Sequence, residues 1–351
     1  MSSVISTVSP PQTTEISSLH TDIFETHILT RLDGQTLAST SCTSASMLHS
    51  MSQRNNNLLW SNVCHTTWPS TSSEPVNGII STFSDNHYNG FRAFFSQAFP
   101  LPSSDPTTTA TQPSSSKLAI VSPSELISAV DVYYKNKLIF TKIEETETVS
   151  TWFQCSPFRV DLLDPKDTVP TEIPHPKGED TCMAMMDDMS LSWILIDPVS
   201  KHAINLSSHK PVSVQRHWLS GEVQVRFGSI LAGGNHKYSS AAAAVVRCGI
   251  VVNCGQSEGG EMQVRELCLE IEDMDGKHLN GKDSLVILRK TMGGKRGSGV
   301  NRENEARIRN KKFEEMKKER KDRKLRLEGT LDTLSVVFGL SVFAGLFFVF
   351  C

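Results

Sequence analysis

Residues 243–254 read AAVVRCGIVVNC, a run of small and β-branched residues carrying one charge. Such a run suits a buried strand better than the stripe of a surface helix. Working outward, GEVQVRFGSI (221–230) alternates Val223, Val225 and Phe227 with Gln224 and Arg226, the pattern of a half-buried strand. SLSWILID (190–197) ends at Asp197-Pro198, a turn signal. AVDVYYK (129–135) and LIFTKIE (138–144) flank a short polar turn and predict a hairpin. On the other side, Met262 to Asp273 leads through Asp275-Gly276 and Asn280-Gly281 to Leu285-Val286-Ile287-Leu288. No helical periodicity of useful length is read between Leu191 and Ile287. Repeated short strands with turn signals predict an antiparallel β-sandwich-like domain over residues 118–292.

The flanks differ in kind. Residues 100–117 (PLPSSDPTTTATQPSSSK) contain thirteen Pro, Ser or Thr among eighteen, a linker composition that cannot bury a core. Before it, Phe91, Phe94, Phe95 and Phe99 recur on one helical face, expected to pack on the helices that precede it. Residues 1–16 are polar, contain Pro10-Pro11 and read as disordered. After the strands, GGKRGSGV (293–300) reads as a flexible joint and 301–328 as a solvated charged helix or stalk.

The net charge of −3 conceals a split. Residues 289–326 hold 16 Lys or Arg against 6 Asp or Glu, and the rest holds 19 against 32. A basic stalk (293–330) therefore leads into the long apolar run of the chain, LSVVFGLSVFAGLFFVF (334–350). About 20 apolar residues cross a bilayer. Residues 331–351 are accordingly expected to form a C-terminal transmembrane helix, with Leu334, Phe338, Leu340, Phe343, Leu346 and Phe347 among its anchoring side chains. The basic flank would keep the preceding chain in the cytosol, as in tail-anchored proteins. The expected location is a cytosol-facing membrane such as the endoplasmic reticulum, with nucleus or cytoplasm as the alternative. KKERKDRK (317–324) could also serve as a nuclear signal, but it lacks the interleaved aromatics of a base-stacking surface, so no nucleic-acid partner is expected.

Several chemistries are absent from the sequence. The N-terminus has neither the basic nor the apolar region of a secretory signal. Eight scattered cysteines form no C-x-x-C pair and are expected as free thiols. There is no phosphate-binding loop and no H-E-x-x-H. Asp273-Met274-Asp275-Gly276 is read as a turn rather than a calcium loop, and His202, His209 and His217 as surface histidines rather than metal ligands. Neither a catalytic residue nor a metal or other cofactor is expected.

Residues 17–64 read SSLHTDIFETHILTRLDGQTLASTSCTSASMLHSMSQRNNNLLWSNVC. Asp22, Ile23, Ile28, Leu29 and Leu32 fit one amphipathic helix closed by Asp33-Gly34. A second short helix would carry Leu37, Ala38 and Cys42, and a third Leu58, Leu59 and Val63. Three short helices make a small bundle with little core of its own, normally stabilised by a partner. The segment resembles an F-box. Leu19, Asp22, Ile28-Leu29, Leu32, Leu37, Cys42 and Leu59-Trp60 occupy that family's places, while His20 stands where Pro is usual. WPST (68–71) and FRAFFSQAFP (91–100) look similar to plant F-box proteins in particular. SWILIDP (192–198), GEVQVRFGSI and AAVVRCGIVVNC more loosely resemble the lectin-like domain of plant phloem-lectin-type F-box proteins.

The resemblance implies an α+β multidomain chain, with an F-box and helical extension over 17–99 followed by a β-rich recognition domain. It implies a non-catalytic, substrate-recruiting subunit of an SCF-type E3 ubiquitin ligase. The partners would be a Skp-type adaptor with its cullin ligase, and an unknown protein or glycoprotein substrate. Leu19, Ile23, Ile28, Leu29 and Leu32 are the expected adaptor contacts, some of which must also fill the bundle's core. The alternative is a membrane-tethered, lectin-like carbohydrate-binding protein with a vestigial F-box.

Overall fold

The computed structural model describes residues 23–42, 56–84, 88–102, 123–233, 245–297 and 302–350. Side chains at 24, 25, 41, 56, 344 and 347–350 are outside this description. The chain divides into two compact units, Met1–Thr67 and Trp68–Cys351. Residues 68–99, which the sequence grouped with the helices before them, therefore belong with the strands.

The first unit opens with a π-helical turn, Phe24–Ile28, running into a 3-10 turn, Leu29–Arg31. Helix α1 (Gly34–Ser41) follows. Asp33 caps it by accepting the Thr36 N–H at 2.7 Å, satisfying one of the free amides of a helix start. Asp33-Gly34 thus opens a helix where the sequence suggested the end of one. Helix α2 (Asn56–Thr67) buries Trp60, Val63 and Cys64, one face at i, i+3 and i+4. Leu58, expected inward, is 70% exposed. Residues 17–22 and 43–55 of the expected three-helix bundle lie outside the described residues.

The second unit is α+β with antiparallel sheets. It begins with a 3-10 turn (Pro69–Ser72), α3 (Glu74–Ser81) and α4 (Gly90–Ala98). Then come β1 (Glu125–Tyr134), β2 (Lys137–Glu147), α5 (Thr151–Cys155), β3 (Arg159–Asp161), β4 (Val169–Pro174) and α6 (Glu179–Asp188). β5 (Met189–Asp197), β6 (His202–Asn205), β7 (Ser213–Arg216), β8 (Val223–Ala232), β9 (Val245–Gln256) and β10 (Glu261–Glu272) complete the strands. The chain closes with α7 (Gly281–Met292) and α8 (Arg302–Phe350).

One sheet has the order β2-β1-β5-β6, and the other β3-β10-β9-β8-β7, with β4 also on β10. Lys135 and Asn136 join β1 to β2 with φ of 49° and 63°, the positive values of a two-residue turn whose twist suits a hairpin. A single apolar cluster takes Leu126, Val130, Trp193 and Leu195 from the first sheet and Val225, Phe227, Ile250 and Leu269 from the second. The core therefore lies between the sheets, as in a sandwich. β5 is buried along its whole length. Its outer face is also covered, which is why SLSWILID reads as continuously apolar rather than alternating. Trp193 resolves its one polar atom by donating Nε1–H to Ser128 Oγ at 3.1 Å.

The cover on that outer face begins with residues 68–101. Trp68 meets Phe94 edge-on with ring centroids 5.9 Å apart, and Phe83 meets Phe94 at 5.6 Å. The phenylalanine stripe of α4, expected to pack on the preceding helices, meets the aromatic rings of Trp68 and Phe83, which flank them. Two buried polar groups fasten the layer. Asp131 Oδ1 accepts the Ser70 N–H at 3.0 Å and the Thr141 hydroxyl at 2.8 Å, and Oδ2 accepts the Ser70 hydroxyl at 2.6 Å. Arg296 donates to the carbonyls of Gln97, Ala203, Thr291, Met292 and Gly294, tying α4, β6 and the end of α7 together.

Three expectations for the C-terminal part are corrected. Leu285 to Leu288 are helical, in α7. Asn280 caps this helix by accepting the Asp283 N–H at 2.8 Å, and Leu285, Ile287 and Leu288 face the core. A short apolar run is compatible with either element, and here the cap decides. The basic stalk is not wholly solvated. Phe313 is fully buried with Ile230 and Met274, while Lys317 pairs with Glu272 at 3.0 Å and Arg320 with Asp275 at 2.8 Å. The joint at 293–297 is fixed by Arg296, and Gly297 N–H bonds Leu101 O at 2.8 Å.

The transmembrane helix expected over 331–351 is not supported. Among the described residues no helix is long and apolar enough to cross a membrane. Leu334, Phe338, Leu340, Phe343 and Leu346 are exposed on α8, and the side chain of Phe347 lies outside the described residues. The membrane partner rested on this span.

Candidate functional site

The expected adaptor-binding residues separate by burial. Leu29 is 2% exposed and belongs to the first unit's own core. Ile28 and Leu32 are half-buried. Ile23 is 48% exposed, an apolar side chain offered to solvent at the start of the π-helical turn. Leu19 lies outside the described residues. In so small a unit, exposed and half-exposed aliphatic side chains along one segment are the material of a helix-in-groove contact. Leu37, Trp60 and Cys64 are fully or almost fully buried. The F-box-like spacing of Leu37 and Trp60 therefore reflects core positions.

The clefts among the described residues of the second unit include the following two. One of about 470 Å³ lies between the outer face of the larger sheet and α8. Its lining includes Gly249 with Arg226, Arg247, Glu270, Glu314 and Lys317. Arg226 is oriented by Gln224, which accepts its Nε–H at 2.8 Å, and Gln224 in turn donates to Asn253 at 3.1 Å. The other cleft, about 590 Å³, lies between the β1–β2 turn and β4 and is lined by Tyr134, Leu138, Ile139, Pro170 and Ile173 among others.

The titratable groups serve structure. Burial raises the Asp131 pKa, opposed by hydrogen bonds from Ser70 and Thr141. Burial pushes the Cys254 and Cys268 thiols up to about 12, which removes the thiolate that reactivity would require. The seven described cysteines are free thiols. Among the described residues the candidate metal-binding group is Asp161, Glu266 and Cys268. The Arg159 guanidinium already pairs with Asp161 at 2.7 Å and Glu266 at 2.6 Å, occupying the place a cation would take. The three histidines face separate partners. His202 Nδ1 lies 2.7 Å from Ser200 O, His217 Nδ1 3.0 Å from the Ser220 N–H, and His209 Nε2 3.6 Å from Glu303. Asp273 accepts from the amides of Asp275 and Lys277, forming a turn as expected. Asn205 is buried, and its Oδ1 accepts from Trp193 N and Ser207 N.

Sequence reasoning did not identify Asp131 or Arg296. For Asp131 a signal existed, a carboxylate inside the apolar strand AVDVYY. For Arg296, within GGKRG, none did.

No family model matches the chain, and no solved structure matches it. Curated relatives do. A probable F-box protein of Arabidopsis thaliana is 46% identical over 338 residues, covering 96% of this chain and 93% of the relative. A second F-box protein of that plant is 39% identical over 336 residues, covering 93% of this chain and 94% of the relative. A third is 45% identical over 285 residues, covering 80% of this chain and 75% of the relative. Similarity of this extent along both units places the chain among the plant F-box proteins, the family to which it belongs.

Proposed function

We propose that the chain is a substrate-recruiting subunit of an SCF-type ubiquitin ligase. The first unit binds a Skp-type adaptor, and the second holds the target. The observation that carries this reading is the 39–46% identity to F-box proteins over most of the chain. The exposure of Ile23 and the partial exposure of Ile28 and Leu32 support an apolar adaptor contact through that segment. Joining adaptor-binding and target-binding modules raises the effective concentration of the target beside the ubiquitin-charged enzyme. The chain performs no covalent step in this scheme.

Affinity purification of the tagged chain followed by mass spectrometry tests the proposal. Adaptor and cullin are expected together with one or more target proteins. Recovery of neither adaptor nor cullin would overturn it.

A further inference from the structure

We infer that the free edge of β2 is the docking strand for an extended, basic segment of the recruited target. This rests on the substrate-recruiting reading and specifies the chemistry of its target. β2 is an eleven-residue edge strand whose one neighbour is β1. A register irregularity at Ile139 interrupts the pairing, and from Phe140 to Glu147 the register with β1 is regular. Among the described residues no backbone hydrogen bond leaves this stretch on the side away from β1.

Among the described residues the other sheet edges are capped, short or interrupted by proline. On β6, Ala203 N–H donates to Gln97 Oε1 at 2.9 Å and Ala203 O accepts from Arg296 at 3.0 Å, so side chains cap that strand. β7 has four residues and β3 three. β4 carries Pro170 and Pro174, which cannot donate to a ladder. Proteins normally shorten, cap or block such edges, because an open one recruits strands. Among the described residues β2 is the long edge left open.

Its charges state what it would recruit. Glu125 stands opposite Glu147 in the β1–β2 register, and Glu145 lies two residues before Glu147 on the same face. All three are exposed, and none has an ionic partner among the described residues. Like charges directly opposite one another destabilise a sheet. The positive group nearby in sequence, Lys142, is engaged by Leu162 O at 2.6 Å and Glu144 at 3.1 Å. Half-buried Ile143 lies two residues before Glu145 on the same face, opposite Ala129. An added strand with basic side chains on the Glu145–Glu147 face and an apolar one near Ile143 would complete both the ladder and the charge, a mode in which backbone bonds give affinity and side chains give selectivity.

The test uses the full chain and a probe peptide of alternating arginine and valine. A control peptide of the same sequence carries N-methylated backbone amides on its bonding edge. The expected result is binding of the first peptide, with new amide-exchange protection confined to residues 140–147. Affinity should fall about tenfold or more for the N-methylated peptide and for a Glu145→Lys/Glu147→Lys chain. No binding, equal binding of the methylated peptide, equal binding to the variant, or protection elsewhere would each overturn the inference. Adaptor capture by the same variant is measured in parallel. Retained adaptor binding with lost peptide binding separates this inference from the ligase reading, whereas wild-type chain that captures no adaptor sinks the latter alone.

Discussion

Asp131 is a carboxylate with no solvent exposure, and it persists because three hydrogen bonds from Ser70 and Thr141 converge on it. Asp131→Ala strands a buried amide and two hydroxyls, so thermal or chemical unfolding should show a loss of about 2–3 kcal/mol. Asp131→Asn can keep the Oδ1 bonds and reverse the third, since a hydroxyl both donates and accepts. The pH dependence has a definite sign. A carboxyl whose pKa is raised by folding binds its proton more tightly in the folded state, so its contribution is full below about pH 3.9 and is lost as pH rises through the folded value. The Asn variant should therefore gain on the wild type as pH rises from about 4. A difference that does not change with pH would contradict the account. Arg296 is the second fastener. Arg296→Ala removes the donor to five carbonyls and is expected to cost about 3 kcal/mol or more. Arg296→Lys should not restore it, because three donors on one nitrogen cannot reproduce a planar fork.

At the scale of elements, α8 has two characters. Its first turns dock through Phe313 on Ile230 and Met274, with Lys317 and Arg320 paired to Glu272 and Asp275. From Lys321 onward its described side chains are exposed all round. Phe313→Ala should release the docked part at a cost of about 3–5 kcal/mol of local stability. Amide exchange would then accelerate across residues 302–320 while β5 and β9 keep their protection. Unchanged exchange in 302–320 would show that its ion pairs and arginine hydrogen bonds hold the helix without Phe313. The same elements show what was legible. The β1–β2 hairpin, the alternation of β8 and the phenylalanine stripe of α4 were readable because their periodicity is local. α7 was not, because LVIL fits a strand until the Asn280 cap is seen. The docking of 302–320 was not legible either. Its one large buried apolar side chain is Phe313, and its other contacts are mostly ion pairs and arginine-to-carbonyl hydrogen bonds with residues more than forty positions away. Among the expected adaptor contacts, pattern alone could not divide buried Leu29 from exposed Ile23.

For the whole molecule, the charge split takes on a structural meaning. Part of the basic segment neutralises Glu272 and Asp275 on the β-rich unit, so it is not simply a solvated stalk. The acidic excess includes the unpaired carboxylates along β1 and β2. Two units with separate tasks follow from the ligase reading, and that reading depends on the first unit holding an adaptor through side chains it does not need for its own core. The most direct measurement is the affinity of purified Skp-type adaptor for the full chain and for an Ile23→Asp variant, with circular dichroism and thermal unfolding as controls. The account predicts binding by the wild type, weakening of about tenfold or more in the variant from a charge buried in an apolar contact, and unchanged folding, because Ile23 is exposed. A wild-type chain that does not bind the adaptor, or a variant that binds equally well, would contradict it.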